Sequence, residues 1–541
     1  MSDKRAIEKM IIGISFAVYL GMALLYFRRL YPFDILPDEF GYWQNVALLR
    51  GFNWEQIIAL GDYYSYGYSI ILLPIHLLAG SALTAYRLAI ILNLIMLSAA
   101  GLVLLRTMDE NPCFFLIYPP LVYYALTTMS EVFLLFTFTF VLLFLKRFLK
   151  SRNTTDGAVL ILLLVFLFTI HMRTLPLSVV ALLLIRDKEG EDKNGKKRFV
   201  LLLILALVLF AAALCADFYF QKPIVAANGA AGTGFYSVLT RFGKLYSLNG
   251  LKCFLLAVTG EIFYIGAASL GLAYIGLGRI IRKVREKQDF EYFYLVSLIC
   301  EMALSALFLY SNESSLSVLY GRYIDYMVPG LILYGICEVK EKGLGKKYFL
   351  IFMTVTVISG VLVLSGLVKY ESVDSLFALG TNYFLVKKTS PALMIISAGL
   401  SGFAGLLVMF IASAFRKSMV KMRFMPWVFS AAFIVLSFYI SGDMVNRNMT
   451  YSKENAELAE GLKESGSDKI FYINSAYQPG VQILQFMLAE KTINVLKTTD
   501  ELNEYDMAGN YVIVPVYDSI NNQMNDKYVL YDETKTFKVW K

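Results

Sequence analysis

The chain has 541 residues, 57% of them hydrophobic and 15% aromatic, with only 17% charged and a formal net charge of +8. That composition excludes an ordinary soluble domain, and lipid excludes an open sheet, whose edge groups would stay unsatisfied. Five cysteines and two histidines give neither a disulfide framework nor a cysteine-based or histidine-rich zinc site.

A span needs roughly 20 apolar residues, and the runs predict an all-α polytopic membrane bundle of about thirteen helices. The first run, Met10 to Tyr26, follows a charged start without a small-residue cleavage site, which predicts a retained span with its N-terminus inside. The segment from Arg28 to Tyr68 is then a long outer loop carrying Asp34, Asp38, Glu39, Glu55 and Asp62. A solvated loop is the plain reading of such charges. Asp38 and Glu39, however, sit in "LPDEFGYW" among aromatics that favour the interface. The following run, Tyr66 to Gly80, is too short to cross and return, so the loop is expected to lie folded on the membrane.

Further spans are expected near Arg87 to Leu105, Cys113 to Leu126, Val132 to Phe148, Ala158 to Ile170 and Leu175 to Ile185. Others fall near Phe199 to Phe218, Phe254 to Gly278, Tyr292 to Tyr310, Ile324 to Ile336, Tyr348 to Val368, Leu393 to Phe415 and Trp427 to Ile440. With this alternation the basic segments 146–152, 186–198, 279–287, 340–347 and 415–423 all fall on one side, the cytoplasmic side by the positive-inside rule. Glu131, in "TTMSEVFLL", then joins Asp38 and Glu39 at the outer face. Ionisable groups there face a cavity or pair with one another. Carboxylates so placed suit general base work or, alternatively, a divalent ion held by Asp38 and Glu39. For Glu131 a charge favouring its helix N-terminus is the competing reading.

Outer-face cations are few: Arg87, Arg173, Arg241, Lys244 and Arg322. Arginine grips phosphate through a planar fork, although Arg322, beside Tyr320 and Tyr323, also fits an interfacial snorkel. His171 reads as a packing residue. The loop Pro223 to Gly250, rich in Gly and Ala, reads as a lid that orders on substrate.

From Arg447 onward there are 14 acidic and 10 basic residues, so the total of +8 divides into −4 there and +12 in the rest. Residues 447–541 are read as an extracytoplasmic soluble α/β domain appended to a membrane domain over 1–446. Its helices are expected at Asn455 to Gly466 and Gly480 to Lys491. Strands are expected at Lys469 to Asn474, Thr492 to Leu496, Tyr511 to Tyr517 and Lys527 to Asp532.

The order of these features resembles the type C glycosyltransferase superfamily, which includes protein O-mannosyltransferases and the aminoarabinose transferase of lipid A. The resemblance rests on one span, an outer loop with Asp38 and Glu39, the "GYSIILLPIHLLAGSALTAYRLAIILN" stretch, Glu131, the "GRYIDYMVP" element and a soluble outer C-terminal domain. It implies an integral plasma-membrane enzyme that moves a sugar from a polyprenyl-phosphate donor to an envelope acceptor by single, inverting displacement. Asp38 would be the base, with Glu39 orienting it and Glu131 at the same face. Arg322 and Tyr323, with Arg173 and Arg87, would hold the donor phosphate. Where members of the superfamily place a lysine before a Pro-Pro pair, this chain has "YYSYGYSIILLP", so Tyr64 or Tyr66 is expected to replace it. The implied partners are the lipid-linked donor, membrane lipids and the acceptor, with no nucleic acid. No cofactor is required unless a divalent ion binds. A transporter or flippase of a lipid-linked substrate is the alternative, disfavoured because the charges collect at the outer face and not at the bilayer midplane.

Overall fold

The computed structural model describes residues 13–541 except 15–16, 34–35, 109–117, 190–192, 229–240, 244, 311–313, 374–377, 384–388, 415–418, 467–468, 475–477 and 506–508. Asp34, Cys113, Lys244 and the 229–240 part of the expected lid lie outside the described residues.

After a helix over 17–26, the elements that position the site are α1 (Asp38–Arg50), α2 (Gly67–Leu78), α3 (Ala82–Thr107), α4 (Pro119–Ala125), α5 (Glu131–Ser151), α6 (Thr154–Ile170), α7 (Leu175–Glu189) and α8 (Lys193–Asn228). They are followed by α9 (Leu248–Ala268), α10 (Leu272–Arg285), α11 (Asp289–Leu309), α12 (Val328–Lys342), α13 (Lys346–Leu367), α14 (Pro391–Ala414) and α15 (Met419–Glu464). Side-chain caps start several of them: Ser81 accepts from the Thr84 amide, Asn153 from Thr155 and Ser247 from Gly250, relieving first-turn donors that would otherwise lack partners.

By length and composition, eight of the described helices can cross a membrane. Of the other expected spans, Met10 to Tyr26 and Cys113 to Leu126 lie partly outside the described residues, while α6, α7 and α12, of 17, 15 and 15 residues, are roughly 22–26 Å long and fall short of the hydrocarbon core. The expected span Phe254 to Gly278 is broken at Leu270 and Gly271, with φ of 53° and 80°, where the Gly271 amide closes α9 by donating to the Gly266 carbonyl at 2.7 Å, a glycine C-terminal stop.

The basic segments are tied together through acidic partners. Arg198 binds Glu189 at 2.6 Å, Lys188 binds Asp289 at 2.9 Å, Lys283 binds Glu291 at 3.0 Å, and Arg279 and Arg282 reach Glu341 and Glu338 at 2.7 and 2.6 Å. They form a belt at one end of the bundle. Because α5 and α12 finish at that end, their starts, at Glu131 and just after Arg322, lie at the other.

α15 is a single helix of 46 residues, about 69 Å long. The helix expected at Asn455 to Gly466 is its last stretch, continuous with the membrane span. Beyond it, β1 (Ile470–Ile473), β2 (Ile493–Leu496), β3 (Tyr511–Pro515), β4 (Leu530–Glu533) and β5 (Phe537–Trp540) form a sheet in the order β2-β1-β3-β5-β4. The first three strands are parallel; β5 runs antiparallel to β3 and to β4. Alternation along β1 divides its faces. Ile470 and Tyr472 join the large core shared with the bundle, whereas Phe471 and Ile473 face a second core with Val512, Val514 and Trp540. A short helix, α16 (Gly480–Met487), docks the sheet on the segment between residues 28 and 68. There Phe486 packs on Phe33 at 4.8 Å and Trp43 at 5.0 Å, and Trp54 donates to the Ala489 carbonyl at 2.8 Å.

α10 and α12 cross without room for side chains. A Cβ on Gly276 would sit 1.9 Å from the Leu331 carbonyl oxygen, and one on Gly335 2.1 Å from that of Leu272. Gly276→Val is therefore expected to destabilise the protein by about 1–3 kcal/mol or more, because both neighbours are backbone. A thermal melt in detergent should show a lower midpoint; an unchanged midpoint would refute the crossing.

Candidate functional site

Opposite the belt, three chain segments meet. Asp38 is the first residue of α1, following Pro37, and Glu131 is the first residue of α5, following Ser130. Both carboxylates occupy first turns, where the unpaired amides favour negative charge. Arg322 lies in the turn that leads into α12. Its Nη1 donates to Asp38 Oδ2 at 2.6 Å and its Nε to Glu131 Oε1. The Arg322 and Glu131 side chains are 5% and 3% exposed, the Asp38 side chain 26%. Asp38 is thus the member of the trio that a ligand can reach.

Adjacent carboxylates on a helix point about 100° apart, and the structure divides the pair accordingly. Glu39 is buried, and its Oε2 accepts from the Thr128 amide at 2.6 Å, the Thr128 hydroxyl at 2.7 Å and the Tyr86 hydroxyl at 3.0 Å. Burial pushes its carboxyl up to about 7, against those hydrogen bonds, which lower it. Trp43 donates to the Thr128 hydroxyl at 3.0 Å and Tyr42 bonds Ser130 at 2.7 Å. Thr128 and Ser130, in the turn before Glu131, are therefore both held by α1. Glu39 positions this turn and does not share the opening with Asp38.

Tyr64 closes over Asp38. Its ring packs on Tyr42 at 5.4 Å, so close to Gly41 that a Cβ there would meet it at 2.1 Å. Burial, then the Asp38 carboxylate, raise the Tyr64 phenol well above its ordinary range, so it stays a neutral hydrogen-bond donor.

Behind Arg322 lies a second layer. The Arg173 guanidinium sits 4.0 Å from the Tyr323 ring centroid, donates to His171 Nε2 at 2.8 Å, and pairs with Glu301 at 3.4 Å from inside α11. Burial and the nearby Arg173 and Arg322 hold His171 well below its usual range, so it remains neutral. Asp325, fully buried, accepts from Tyr118 at 2.7 Å and Tyr264 at 2.9 Å; burial pushes it up to about 8. The Tyr264 ring fits only because residue 321 is glycine, whose added Cβ would meet it at 2.0 Å.

The structure brings together Asp38, Glu131, Arg322, Tyr323 and Arg173. It places two expected residues elsewhere. Arg87 donates to the carbonyls of Leu30 and Arg28 and covers Phe27 and Tyr31. Tyr66 stacks on Phe220 at 4.9 Å and donates to the Ala213 carbonyl of α8. Asp38 and Glu39 do not converge on one point, and the space between Asp38 and Glu131 holds a guanidinium; among the described residues no group of three or more metal-ligating side chains occurs. The trio as it stands does not form an oxygen cage for a divalent ion. Thr128, Tyr86, Asp325 and Glu301 went unread in the sequence. Glu301 carried a signal, being an acid inside an apolar run.

No family model and no curated protein matches this chain. Solved structures do: ArnT from Cupriavidus metallidurans bound to undecaprenyl phosphate superposes with a TM-score of 0.53 at 12% identity, covering 98% of this chain and 97% of that one. The same protein in its apo state gives 0.50 at 13% identity, with 97% of each chain covered. The chain has the ArnT fold. That likeness spans the membrane bundle and the sheet domain together, and it makes the chain a multi-pass membrane protein with a small C-terminal sheet, as the sequence predicts.

The buried carboxyl gives a pH test. Glu39 binds its proton up to about pH 7 in the folded chain and up to 4.5 when unfolded, so the proton count is higher in the native state between those values. Stability from this group is present below pH 4.5 and is lost as pH rises to about 7. Glu39→Gln, whose amide oxygen keeps the three acceptor contacts, should flatten that slope in melts taken from pH 5 to 8; an identical slope would refute the assignment. Glu131→Ala leaves Arg322 short of a buried partner and should cost about 3–5 kcal/mol, read from the same melts.

Proposed function

We propose that this protein is an integral membrane glycosyltransferase that moves a sugar from a polyprenyl-phosphate donor onto an envelope acceptor at the outer face. The observation that carries the reading is the reachable Asp38 carboxylate held on a buried arginine, in a chain whose fold matches, over nearly its whole length, a protein solved with undecaprenyl phosphate.

In this scheme the acceptor hydroxyl gives its proton to Asp38 as its oxygen attacks the anomeric carbon. The bond from that carbon to the phosphate oxygen breaks on the opposite face, and the electron pair leaves with the polyprenyl phosphate, inverting the centre. Arg322 has two tasks. Before the donor arrives it holds Asp38 and Glu131; the donor phosphate then competes for the same guanidinium and frees Asp38 to act as base. Tyr323 lines the phosphate side, and Arg173, stacked beneath it, fixes its ring and adds positive potential. Tyr64 donates to Asp38 or to the acceptor oxygen. Residues 447–541 are proposed to stand on the outer side as a separate functional unit.

Asp38→Asn keeps the shape and the acceptor for Arg322 but cannot take a proton. With purified protein and a synthetic polyprenyl-phosphate sugar, this variant should bind donor and turn over about 10²–10⁴-fold more slowly. Full turnover by Asp38→Asn would remove the base assignment. Arg322→Lys, which loses the fork, should weaken donor binding and rate together.

A further inference from the structure

The sheet domain carries a cleft of about 900 Å³, walled by the end of α15, the residues before α16, and the β3 and β4 ends. Its volume suits a small ligand, but its lining is unlike an apolar pocket. Glu454, Glu457, Asp532 and Glu533 face a single lysine, Lys535, which pairs with Glu454 at 3.2 Å. Of the remaining acids, Glu457 and Glu533 meet their nearest lysines only at 3.5 Å and near solvent. The lining thus keeps a formal excess of three negative charges.

Two tyrosines line this polar space from different elements. Tyr517, just after β3, is 91% exposed, and Tyr451, on α15, is 48% exposed. An aromatic face left in water beside carboxylates and amides is the arrangement that takes a ring with both C–H and hydroxyl surfaces. The floor is firm, since a Cβ on Gly480 would meet the Phe537 ring at 2.9 Å and Asn455 at 3.0 Å. Height supplies the last constraint. The membrane-crossing part of α15 ends at Arg447, and Tyr451 to Leu458 lie four to eleven residues further along the same helix, roughly 6–17 Å beyond it. The cleft therefore opens at the level of lipid headgroups.

We propose that this cleft binds an amine-bearing saccharide at the membrane surface: the sugar rings stack on Tyr517 and Tyr451 while the ammonium groups meet Asp532, Glu533 and Glu457. Calling that saccharide part of the acceptor rests on the glycosyltransferase reading; the binding itself does not. The test titrates full-length protein in nanodiscs with the glucosamine tetramer, its N-acetylated counterpart and spermine. Wild type should bind the glucosamine tetramer, and the N-acetylated tetramer and spermine should each bind about tenfold more weakly. Tyr517→Ala and Asp532→Asn, both at exposed positions, should weaken the glucosamine tetramer about as much while leaving the melting midpoint unchanged, and Asp38→Asn should bind normally. No binding by wild type, or spermine binding equally well with Tyr517→Ala indifferent, would overturn the proposal. Saccharide binding without turnover of any polyprenyl-phosphate sugar sinks the transfer reading and upholds the cleft.

Discussion

The site depends on one arginine held between two carboxylates. Arg322 lies 284 residues from Asp38 and 191 from Glu131, so the trio fastens the start of α1, the start of α5 and the turn before α12 to one point. Removing three charges from water is expensive, and a buried pair gains little net stability over a packed apolar substitute. What the pairing does is hold three segments far apart in sequence in one arrangement. The same geometry leaves one carboxylate, Asp38, at the surface of the cluster.

The surroundings sharpen this asymmetry. Asp325 near 8 and a depressed His171 are mainly neutral at neutral pH, while Glu39, near 7, is about half ionised there. The guanidinium field is not spread over many anions. It acts on Asp38, on Glu131, and on whatever anion enters beside them. Arg173, paired with Glu301 and stacked under Tyr323, supplies a second positive centre without opening to solvent.

Much of this was legible in the residues. The long apolar runs predicted the bundle, and four strands fell where alternation put them, while β5, four residues beside the chain end, had too little pattern to read. Asp38, Glu131 and Arg322 stood out because charge is rare in such a chain. Three things were hidden. The division of labour between Asp38 and Glu39 depends on which way α1 is turned, set by contacts to Thr128 and Tyr86 far along the chain. The break of the expected span Phe254 to Gly278 rests on the backbone at Leu270 and Gly271, which hydropathy does not carry. Arg87 and Tyr66 have the right chemistry, and only packing shows that backbone carbonyls and α8 claim them.

The unbroken α15 has a mechanical meaning. The sheet domain hangs from the membrane by this helix and is pinned a second time where Phe486 sits against Phe33, Trp43 and Trp54. A long apolar helix answers a thinner bilayer by tilting, and a rigid extension carries that tilt outward without loss. Because the second attachment lies on the segment that contains α1, the helix bearing Asp38 and the long helix α15 are joined through one folded unit.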